Sequence, residues 1–465
     1  MSSPASADVA ALLRKHGQEH LLPHFDVLDA TRRASFEAEL RATDFDLLAR
    51  LVSEAKNPPP VVSEGEPEPP DVVRKGDDAV RDAAARAAGE ALLRDGKAAA
   101  LVVAGGQGSR LGHHGPKGTF PATPVKRKSL FRLFSEKVRA LGARYGRPVP
   151  FLVMTSEENH ADTVAFFEAN DRFGLLPTQL HFFTQGMLPA VDESGRLVLK
   201  AAGELFRSPN GHGGTLQALH TSGLLAKLRA AGVEEIFYFQ VDNPLAEVCD
   251  PVFLGGHRLA DGEFGSKVVA KSGPDEKVGV MVRRDGRLAV VEYSDLPASL
   301  REARTESGAL KFGAGNIAVH VLRAEFVSRL VARGFALPYH VARKKLPCVD
   351  VEGRASEVAG FKFETFVFDA LAFARNPYCL EVRREREFAP IKNASGVDSP
   401  ASSVELQSRL AAEWLDAAGA PPPRGPDGAP AVPLEISPLY ADSPEALNAK
   451  RPKPDYSKPV YLGAE

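Results

Sequence analysis

The chain is poor in cysteine, has no excess of either charge and contains no long hydrophobic run. Its 465 residues include three cysteines, Cys249, Cys348 and Cys379, which are widely spaced and odd in number. That pattern argues against a disulfide framework and a cysteine-based zinc site, and it predicts a reducing compartment. No apolar stretch at the N-terminus suits a signal peptide and none elsewhere approaches a membrane-spanning length, so the cytoplasm is the expected location.

The balance of charge limits the classes of partner. Lys and Arg number 58 against 60 Asp and Glu, which gives a formal net charge of -2. Because nucleic-acid-binding domains carry a basic excess, we expect no nucleic-acid partner, and the lack of apolar runs predicts no membrane partner. The hydrophobic fraction of 44% and the charged fraction of 25% are those of an ordinary globular protein. The length suits a central domain with one or two additional parts.

Composition and periodicity predict three segments. Residues 1–97 form an N-terminal helical region, in which a Pro- and Glu-rich linker occupies 57–73. Residues 98–392 alternate short β-rich runs with helical patterns and form the central domain. Residues 393–465 are rich in turns and form a small C-terminal domain.

The central segment has the pattern of a doubly wound α/β core. Helical patterns separate most of its β-rich runs, and two of them end at glycine as crossovers of a parallel sheet should. The sequence Asp285-Gly286 lies between two apolar runs and predicts a hairpin turn, so antiparallel strands are expected beside the sheet. The predicted strands lie near 101 and at 150–155, 180–185, 235–241 and 266–271, and the predicted crossover helices span 130–146 and 214–232.

The most informative motif is the glycine-rich loop in LVVAGGQGSRLG, directly after the first of these strands. Gly105, Gly106 and Gly108 lack a Cβ, so the backbone there can take positive φ and present N–H groups to phosphate or a base edge. Arg110 and Lys117 supply positive charge. The spacing matches neither the Walker loop nor the dinucleotide fingerprint, which argues against a nicotinamide-dependent dehydrogenase. The alternative is a tight turn without a ligand.

Polar residues follow two other predicted strands, at the edge where open α/β sheets bind ligands. Asp242 follows IFYFQV and suits a Mg²⁺ ion that bridges triphosphate oxygens. In the alternative interpretation it caps a turn before Pro244. Gln185 follows LHFFT and suits a base edge, because a carboxamide both donates and accepts. The alternative is an ordinary loop residue with satisfied hydrogen bonds.

A second glycine-rich stretch, SPNGHGGTLQAL, opens a predicted helix. Gly211 and its neighbours let backbone N–H groups approach a ligand, and a helix N-terminus favours negative charge. His212 lies within this stretch; in the alternative interpretation it is a surface loop residue.

Further polar residues end or interrupt apolar runs downstream. The carboxylate of Glu292, the phenol of Tyr293 and the carboxamide of Asn316 suit sugar hydroxyls or amides. In the alternative interpretation these groups are buried and bonded to the backbone. The lysines suit phosphate, although a solvated surface position is their alternative. These residues are Glu292, Tyr293, Asn316, Lys362 and Lys392.

Taken in order, the motifs resemble the eukaryotic-type UDP-N-acetylhexosamine pyrophosphorylases, which belong to the wider UDP-sugar pyrophosphorylase family. The motifs are GGQGSRLG with PKG, QGMLPAVDESGRL, GHGG, VDNPLAEVCDPVFLG, KVGVMVRRDGRLAVVEYS, FGAGNIAVH, FKFETFVFD and FAPIKNASG, within a likeness that runs from about residue 17 to about residue 400. The resemblance implies a Rossmann-like nucleotidyltransferase core with a mixed, mostly parallel sheet, between an N-terminal helical part and a small C-terminal domain. It also implies a reaction of UTP with a sugar 1-phosphate that forms a UDP-sugar and pyrophosphate, with Mg²⁺ as cofactor.

The resemblance further implies a role for each matching residue. Gly105 and Gly106 would contact the uridine, Arg110 and Lys117 the triphosphate, Gln185 and the Gly211 backbone the uracil, Asp242 the metal, Glu292, Tyr293 and Asn316 the hexosamine, Lys362 UTP, and Lys392 the sugar phosphate.

The sequence departs from the family pattern at His212. The N-acetylhexosamine enzymes usually read GNGG there, whereas UDP-glucose pyrophosphorylases tend to carry GHG. Neutral His offers one donor and one acceptor in a geometry that differs from that of Asn, so the sugar contact need not transfer. The motif GAGNIAVH favours the N-acetyl sugar. N-acetylglucosamine 1-phosphate is therefore the expected substrate, with glucose 1-phosphate or a broader set as the alternative.

A second alternative is a non-catalytic relative that binds a UDP-sugar without turnover. The four charged residues Arg110, Lys117, Asp242 and Lys392 argue against it. Their shared rationale is stabilisation of charge during phosphoryl transfer, and a binding protein would not need all of them.

Overall fold

A computed structural model describes residues 5–57, 65–332, 334–335, 337–350 and 353–463. The α-helices are α1 Ala7–Lys15, α2 Ala30–Ala42, α3 Phe45–Lys56, α4 Ala79–Arg94, α5 Leu130–Tyr145, α6 His160–Ala169, α7 Gly214–Thr221, α8 Leu224–Ala230, α9 Pro251–Leu259, α10 Ala298–Glu302, α11 Ala324–Ala332, α12 Arg384–Glu387, α13 Pro400–Ala417 and α14 Pro444–Lys450. The 3₁₀ helices are Glu19–Val27, Ser109–Leu111, Lys117–Thr119, Asp171–Gly174 and Val367–Phe373.

The strands are, in chain order, β1 Val73–Arg74, β2 Ala98–Val103, β3 Phe151–Thr155, β4 Leu180–Thr184, β5 Met187–Pro189, β6 Val191–Asp192, β7 Leu199–Ala201, β8 Glu204–Leu205, β9 Arg207–Pro209, β10 Glu235–Gln240, β11 Phe264–Ala270, β12 Val280–Arg284, β13 Arg287–Val291, β14 Ala314–Arg323, β15 His340–Val349, β16 Ala355–Glu364, β17 Tyr378–Val382, β18 Leu434–Ile436 and β19 Val460–Leu462.

The chain forms two compact units, each assembled from separate stretches of sequence. The first contains the described residues of Met1–Glu64, Gln185–Thr215 and Leu337–Asp369, and the second those of Gly65–Thr184, Leu216–Ala336 and Ala370–Glu465. The division into sequential domains 1–97, 98–392 and 393–465 stays a prediction. Residues 58–64 of the predicted linker lie outside the described residues.

The second unit is built on a large sheet with the strand order β1-β17-β11-β14-β10-β2-β3-β4. Neighbouring strands pair in parallel except at β14, which runs antiparallel to both β10 and β11. Strand β12 joins β14 and turns back into β13. The predicted α/β class with a mixed, mostly parallel sheet is confirmed.

The central strands form this sheet because they are apolar on both faces. All six residues of β2 are buried, as are the first five of β10. A continuous apolar run is typical of a parallel strand covered by helices on both sides. Since β2, β3, β4 and β10 run in the same direction, the residues that follow them meet at one edge of the sheet.

Two of the local predictions have different outcomes. The hairpin at Asp285-Gly286 is confirmed, with φ of 49° and 75° at the two turn residues. The single helix predicted over 214–232 is wrong, because α7 and α8 are separate helices. Gly223 interrupts the run with a φ of 74°, a left-handed conformation that a continuous α-helix does not contain.

The first unit packs its helices α1 to α3 around apolar side chains of its short strands. Phe25, Phe36 and Leu51 belong to one buried cluster that also contains Val191 and Phe363. Strand β16 pairs with β15 and with β6 in a three-stranded antiparallel sheet.

Residues near the C-terminus form a smaller apolar cluster within the second unit. Helices α13 and α14 pack with the parallel pair β18 and β19, and Leu415, Leu434 and Leu447 are buried among them. In the described residues, none of the helices has the length and apolar character needed to cross a membrane.

Helices α4 and α9 of the second unit approach closely because glycine lies at their crossing. A Cβ built on Gly89 would lie 1.9 Å from the Pro251 carbonyl oxygen, and one built on Gly255 would lie 1.7 Å from the Ala85 carbonyl oxygen. Both distances are far below van der Waals contact, and both obstacles are backbone atoms. The two helices therefore require glycine at these positions.

We expect Gly255→Ala to lower the free energy of unfolding by more than about 2 kcal/mol, because the methyl group forces two backbones apart. Urea unfolding followed by circular dichroism measures the loss. The matched control is Gly142→Ala in α5, where the added Cβ would lie 3.2 Å from its nearest neighbour. That change should stay within about 1 kcal/mol, since alanine also favours the helix. Equal losses in the two variants would contradict the explanation.

Candidate active site

A buried asparagine holds the glycine-rich loop that follows β2. Asn159 is fully buried, and its Nδ2 donates to the carbonyl oxygens of Ala104 at 2.9 Å and Gly106 at 3.2 Å. Its Oδ1 accepts from the backbone N–H of Ser156 at 2.9 Å. One carboxamide thereby fixes the start of the loop against the end of β3.

Positive φ occurs later in this loop than expected. Gly105, Gly106 and Gly108 do not adopt it, whereas Gly112 and Gly115 do, with φ of 67° and 109°. The loop reverses between these two later glycines and brings the Gly108 N–H within 2.9 Å of the Gly115 carbonyl oxygen. The tight reversal, rather than the first three glycines, is what needs the left-handed conformation.

The early glycines serve two different purposes. A Cβ built on Gly106 would have no atom within 4 Å, so this face of the backbone is open to a ligand. A Cβ built on Gly108 would lie 2.8 Å from the His113 ring, so glycine there is a packing requirement. Gly105 is half-buried beside them.

The two cations of the loop have different surroundings. Arg110 is exposed in the short helix Ser109–Leu111. Lys117 donates its backbone N–H to the Gly106 carbonyl oxygen at 3.0 Å, and its Nζ lies 3.0 Å from Oδ2 of Asp242. Each side chain of this ion pair is 17% exposed. The structure therefore brings together a cation and a carboxylate that are 125 residues apart in sequence.

The segment that carries Lys392 lies against the end of β10. The Ile391 N–H donates to the Asp242 carbonyl oxygen at 2.8 Å, and the Lys392 N–H donates to the Asp398 carbonyl oxygen at 2.7 Å. The Lys392 side chain is exposed, with Nζ 5.6 Å from the centre of the Phe388 ring. Burial raises the pKa of Asp398 against the opposing effect of Lys392, and the charge of Asp242 adds to the increase.

An acidic cluster is formed by the chain segments that follow Asp242 and precede Lys392. Glu247, Asp250 and Glu387 have carboxylate oxygens within 4.8 Å of one another. Lys75 Nζ bonds to all three, and Lys267 Nζ bonds to Asp250 and Glu387. Since ammonium groups already neutralise these carboxylates, the arrangement is that of an ion network, buried at Asp250 and Glu387 and exposed at Glu247, rather than of a cation site.

Two of the predicted sugar-binding residues, Asn316 and Glu292, lie beside Gly279. The Asn316 N–H donates to the Gly279 carbonyl oxygen at 2.8 Å, and a Cβ on Gly279 would lie 3.5 Å from Oε1 of Glu292. Half-buried Tyr293 follows Glu292 directly. Oδ1 of Asn316 accepts from the N–H of Ala318, which leaves the carboxamide NH₂ group as the donor for a ligand.

Three further predicted residues lie in the first unit. Gln185 is 7% exposed and follows β4 directly. Gly211 has a φ of 81°, and its Cβ would lie 2.3 Å from the Thr365 carbonyl oxygen, so both conformation and space require glycine. Lys362 lies on β16, with Nζ 4.8 Å from the centre of the Phe206 ring.

His212 is held by its neighbours in the first unit in one orientation. Its Nδ1 accepts the backbone N–H of Val367 at 3.2 Å, so the neutral ring carries its proton on Nε2. The ring of Phe366 stacks on His212 at 5.2 Å and on His340 at 4.2 Å. Nε2 of His340 lies 2.8 Å from Oδ2 of Asp369. Burial lowers the pKa of His212 to about 4, and the neighbouring His340 adds to the decrease.

Several residues of these surroundings were not among the sequence-based candidates. Asn159 lies four residues after the end of β3, so a search of the loops at the strand ends could have found it. Asp398, His340 and Asp369 have no comparable signal, because their contacts depend on chain segments far apart in sequence.

The low pKa of His212 gives stability a pH dependence. The unfolded chain titrates this residue near pH 6.5 and the folded chain near pH 4, so its contribution to stability is complete above about pH 6.5 and is lost as the pH falls towards 4. We expect His212→Asn to make the free energy of unfolding fall less steeply over that range. Urea titrations of both proteins between pH 7.5 and 4 measure the slopes. Parallel curves would contradict the expectation.

Comparisons with known proteins agree with the motifs and the fold. The family described as UTP--glucose-1-phosphate uridylyltransferase matches residues 45–406. The human UDP-N-acetylhexosamine pyrophosphorylase-like protein 1 is 36% identical, over 98% of this chain and 96% of that protein. The UDP-N-acetylglucosamine pyrophosphorylase of Saccharomyces cerevisiae is 36% identical, over 70% of this chain and 71% of that protein.

The fold is likewise similar to that of a solved relative. The uridine diphosphate N-acetylglucosamine pyrophosphorylase from Trypanosoma brucei, crystallised with an inhibitor, shares 30% sequence identity, with a TM-score of 0.84 and coverage of 99% of each chain. These matches confirm the family resemblance that the motifs indicate. The chain belongs to the UTP--glucose-1-phosphate uridylyltransferase family and is a nucleotidyltransferase.

Proposed function

We propose that this protein transfers the uridylyl group of UTP to N-acetylglucosamine 1-phosphate and forms UDP-N-acetylglucosamine and pyrophosphate. The observation that carries the proposal is the pairing of Lys117 with Asp242 beside the open backbone face of Gly106, at the edge of the sheet where α/β proteins bind ligands. The relatives that cover most of the chain are named for N-acetylated hexosamines.

The reaction needs no nucleophile from the protein. A phosphate oxygen of the sugar 1-phosphate is ionised at neutral pH and attacks the α-phosphorus of UTP, and pyrophosphate leaves in line. The protein accelerates this step by orienting the two substrates and by stabilising the charge on the phosphate oxygens. Arg110 and Lys117 are the proposed ligands of the triphosphate, and Lys392 is the proposed ligand of the sugar phosphate. Exposure of Arg110 and Lys392 leaves both accessible to an anion.

The nucleoside is assigned to two glycines and three further residues. Gly105 and Gly106 are the proposed contacts of the uridine, and the open face of Gly106 supports this. Gln185 and the backbone of Gly211 are the proposed contacts of uracil, and Lys362 is a proposed contact of UTP. The carboxamide of Gln185 offers both a donor and an acceptor, as the edge of uracil requires.

Asp242 is the proposed ligand of Mg²⁺. Its Oδ2 accepts from Lys117, and within the described part of the chain its Oδ1 makes no hydrogen bond. A single carboxylate that acts together with phosphate oxygens and water is a common setting for Mg²⁺. When bound, the cation would neutralise charge on the phosphates. The network of Glu247, Asp250 and Glu387 does not fit this role, because lysines hold its oxygens.

The sugar is assigned to Glu292, Tyr293, Asn316 and His212. Glu292 and Asn316 lie beside Gly279, and Tyr293 follows Glu292 directly. Their side chains are a carboxylate, a carboxamide with a donor NH₂ group and a phenol. His212 presents a donor at Nε2, since Nδ1 is occupied by a backbone N–H. An asparagine at this position would present both a donor and an acceptor. Since UDP-glucose pyrophosphorylases tend to carry His here, His212 is the observation that favours glucose 1-phosphate as a second candidate substrate.

The remaining inferences concern the surroundings of the protein. The cysteines are free, and Cys249 and Cys379 are buried, which supports a reducing compartment. We infer the cytoplasm as the location. The near-neutral charge supports the expectation that nucleic acid is not a partner.

The experiment that tests the proposal measures pyrophosphate release from UTP and Mg²⁺ with N-acetylglucosamine 1-phosphate and with glucose 1-phosphate in parallel. We expect kcat/KM to be at least about 10-fold higher for the N-acetyl sugar. Even a few pocket contacts to the N-acetyl group are enough for a difference of that size. A preference for glucose 1-phosphate would transfer the assignment to the second candidate. No release with either sugar would favour the alternative of a non-catalytic relative that binds a UDP-sugar.

Asp242→Asn tests the metal assignment. We expect kcat to fall by about 10²- to 10⁴-fold, and the Mg²⁺ concentration for half-maximal activity to rise, because a carboxylate ligand is replaced by a neutral amide. The control is Asp455→Asn, which alters an exposed loop carboxylate. It should leave both quantities unchanged. Native Mg²⁺ dependence in the Asp242 variant would place the metal elsewhere.

A further inference from the structure

The residue after Asp242 joins the two chain segments that carry the proposed catalytic groups. Asn243 is 2% exposed, its Nδ2 donates to the Glu387 carbonyl oxygen at 2.7 Å, and its Oδ1 accepts from the Ala389 N–H at 3.0 Å. A carboxamide is the side chain that donates to one backbone group and accepts from another at once. Neither aspartate nor leucine, which have a similar size, can make both bonds.

A backbone hydrogen bond continues this connection. The Ile391 N–H donates to the Asp242 carbonyl oxygen at 2.8 Å, two residues beyond the contact of Ala389 with Asn243. Lys392 follows directly. Asp242 and Lys392 are therefore each within one residue of a hydrogen bond that ties their segments together.

The buried ion network anchors both segments further from the site. Asp250 ends the segment that begins at Asp242, and its Oδ1 accepts from the N–H of Val252 at the start of α9. Glu387 begins the segment that ends at Lys392. Lys267, which is fully buried, binds both carboxylates, and its contact with Asp250 is 2.7 Å.

A second lysine supports the chain between Asp242 and Asp250. Lys137 in α5 donates its Nζ to the carbonyl oxygens of Pro244 at 2.7 Å and Ala246 at 2.8 Å. The backbone after Asp242 is thus held on one side by Lys137 and on the other by Asn243. Together with the Asp242–Ile391 backbone hydrogen bond and the ion pairs of Lys267, Asn243 fixes the two segments to each other.

We propose that Asn243 is a positioning residue for nucleotidyl transfer, whose carboxamide sets the ammonium group of Lys392 relative to the carboxylate of Asp242. The inference rests on the proposed function. Asn243 is buried, and within the described residues its side chain hydrogen-bonds to the backbone of Glu387 and Ala389 rather than to either charged group, so it acts through the backbone of the 387–391 segment. A displacement of about 1 Å in a catalytic group costs on the order of 10²-fold in rate, so a modest shift of this segment is measurable.

The test is a double-mutant cycle that combines Asn243→Ala with Lys392→Ala and follows pyrophosphate release at saturating substrate. In the wild-type background, we expect Asn243→Ala to lower kcat by about 10- to 100-fold and to change the KM for UTP by less than about threefold. In the Lys392→Ala background the same substitution should lower kcat by less than about threefold, because the position of a missing ammonium group no longer matters.

Gln179→Ala is the matched control. Gln179 is also a buried amide that joins two backbone segments, with Nε2 2.7 Å from the Val149 carbonyl oxygen and Oε1 3.4 Å from the Leu176 nitrogen. It directly precedes β4 and so lies at the amino ends of the parallel strands, whereas Asp242 lies at their carboxyl ends. We expect a similar loss of thermal stability but a kcat within about twofold of wild type.

An unchanged kcat, or an equal fold-loss in both backgrounds, would overturn the positioning role. Asn243→Ser serves in both backgrounds if the alanine variant does not fold, because its hydroxyl is polar yet too short to make both bonds. A wild-type protein without turnover would overturn the proposed function and this inference together, whereas an active wild type with additive losses would overturn this inference alone.

Discussion

The parallel pairing of β2 with β10 is the constraint on which the candidate site depends. The register places Val103 opposite Gln240, so the loop after β2 and the turn after β10 emerge side by side. Lys117 reaches Asp242 at 3.0 Å because of this alignment. A shift of one residue would move the polar groups to a different height at the sheet edge and turn each side chain to the other face. The apolar runs of β2 and of Ile236 to Phe239 in β10 favour burial of both strands at the centre of the sheet, where such a shift is costly.

The burial of the charged groups of Lys267, Asp250 and Glu387 costs free energy. Their placement in the chain shows what this cost achieves. Burial opposes the charge of Lys267, but the carboxylates of Asp250 and Glu387 outweigh that effect and raise its pKa. Buried ion pairs contribute little net stability compared with apolar residues of the same size. They do require one particular arrangement of the chain. Here that arrangement links the segment after β10 to the segment before Lys392, where accuracy of position matters more than strength of packing.

The glycines show how one residue type serves separate purposes within one motif. Gly106 leaves an open backbone face, Gly108 makes room for the His113 ring, and Gly112 and Gly115 adopt the left-handed conformation. In the first unit, Gly211 combines a positive φ with a backbone contact that no side chain permits. A glycine in a sequence has no property that separates these cases, because each depends on which atoms lie next to it.

The sequence by itself determined the features that depend on neighbouring residues. The apolar runs of β2 and β10, the hairpin at Asp285-Gly286 and the order of the family motifs are local patterns, and each predicted its structure or family correctly. Only the tertiary structure decided the support of Gly106 by Asn159, the tautomer of His212 and the ion pair of Lys117 with Asp242. Such contacts join residues far apart in the chain. Their energies depend on packing that no local window of sequence contains.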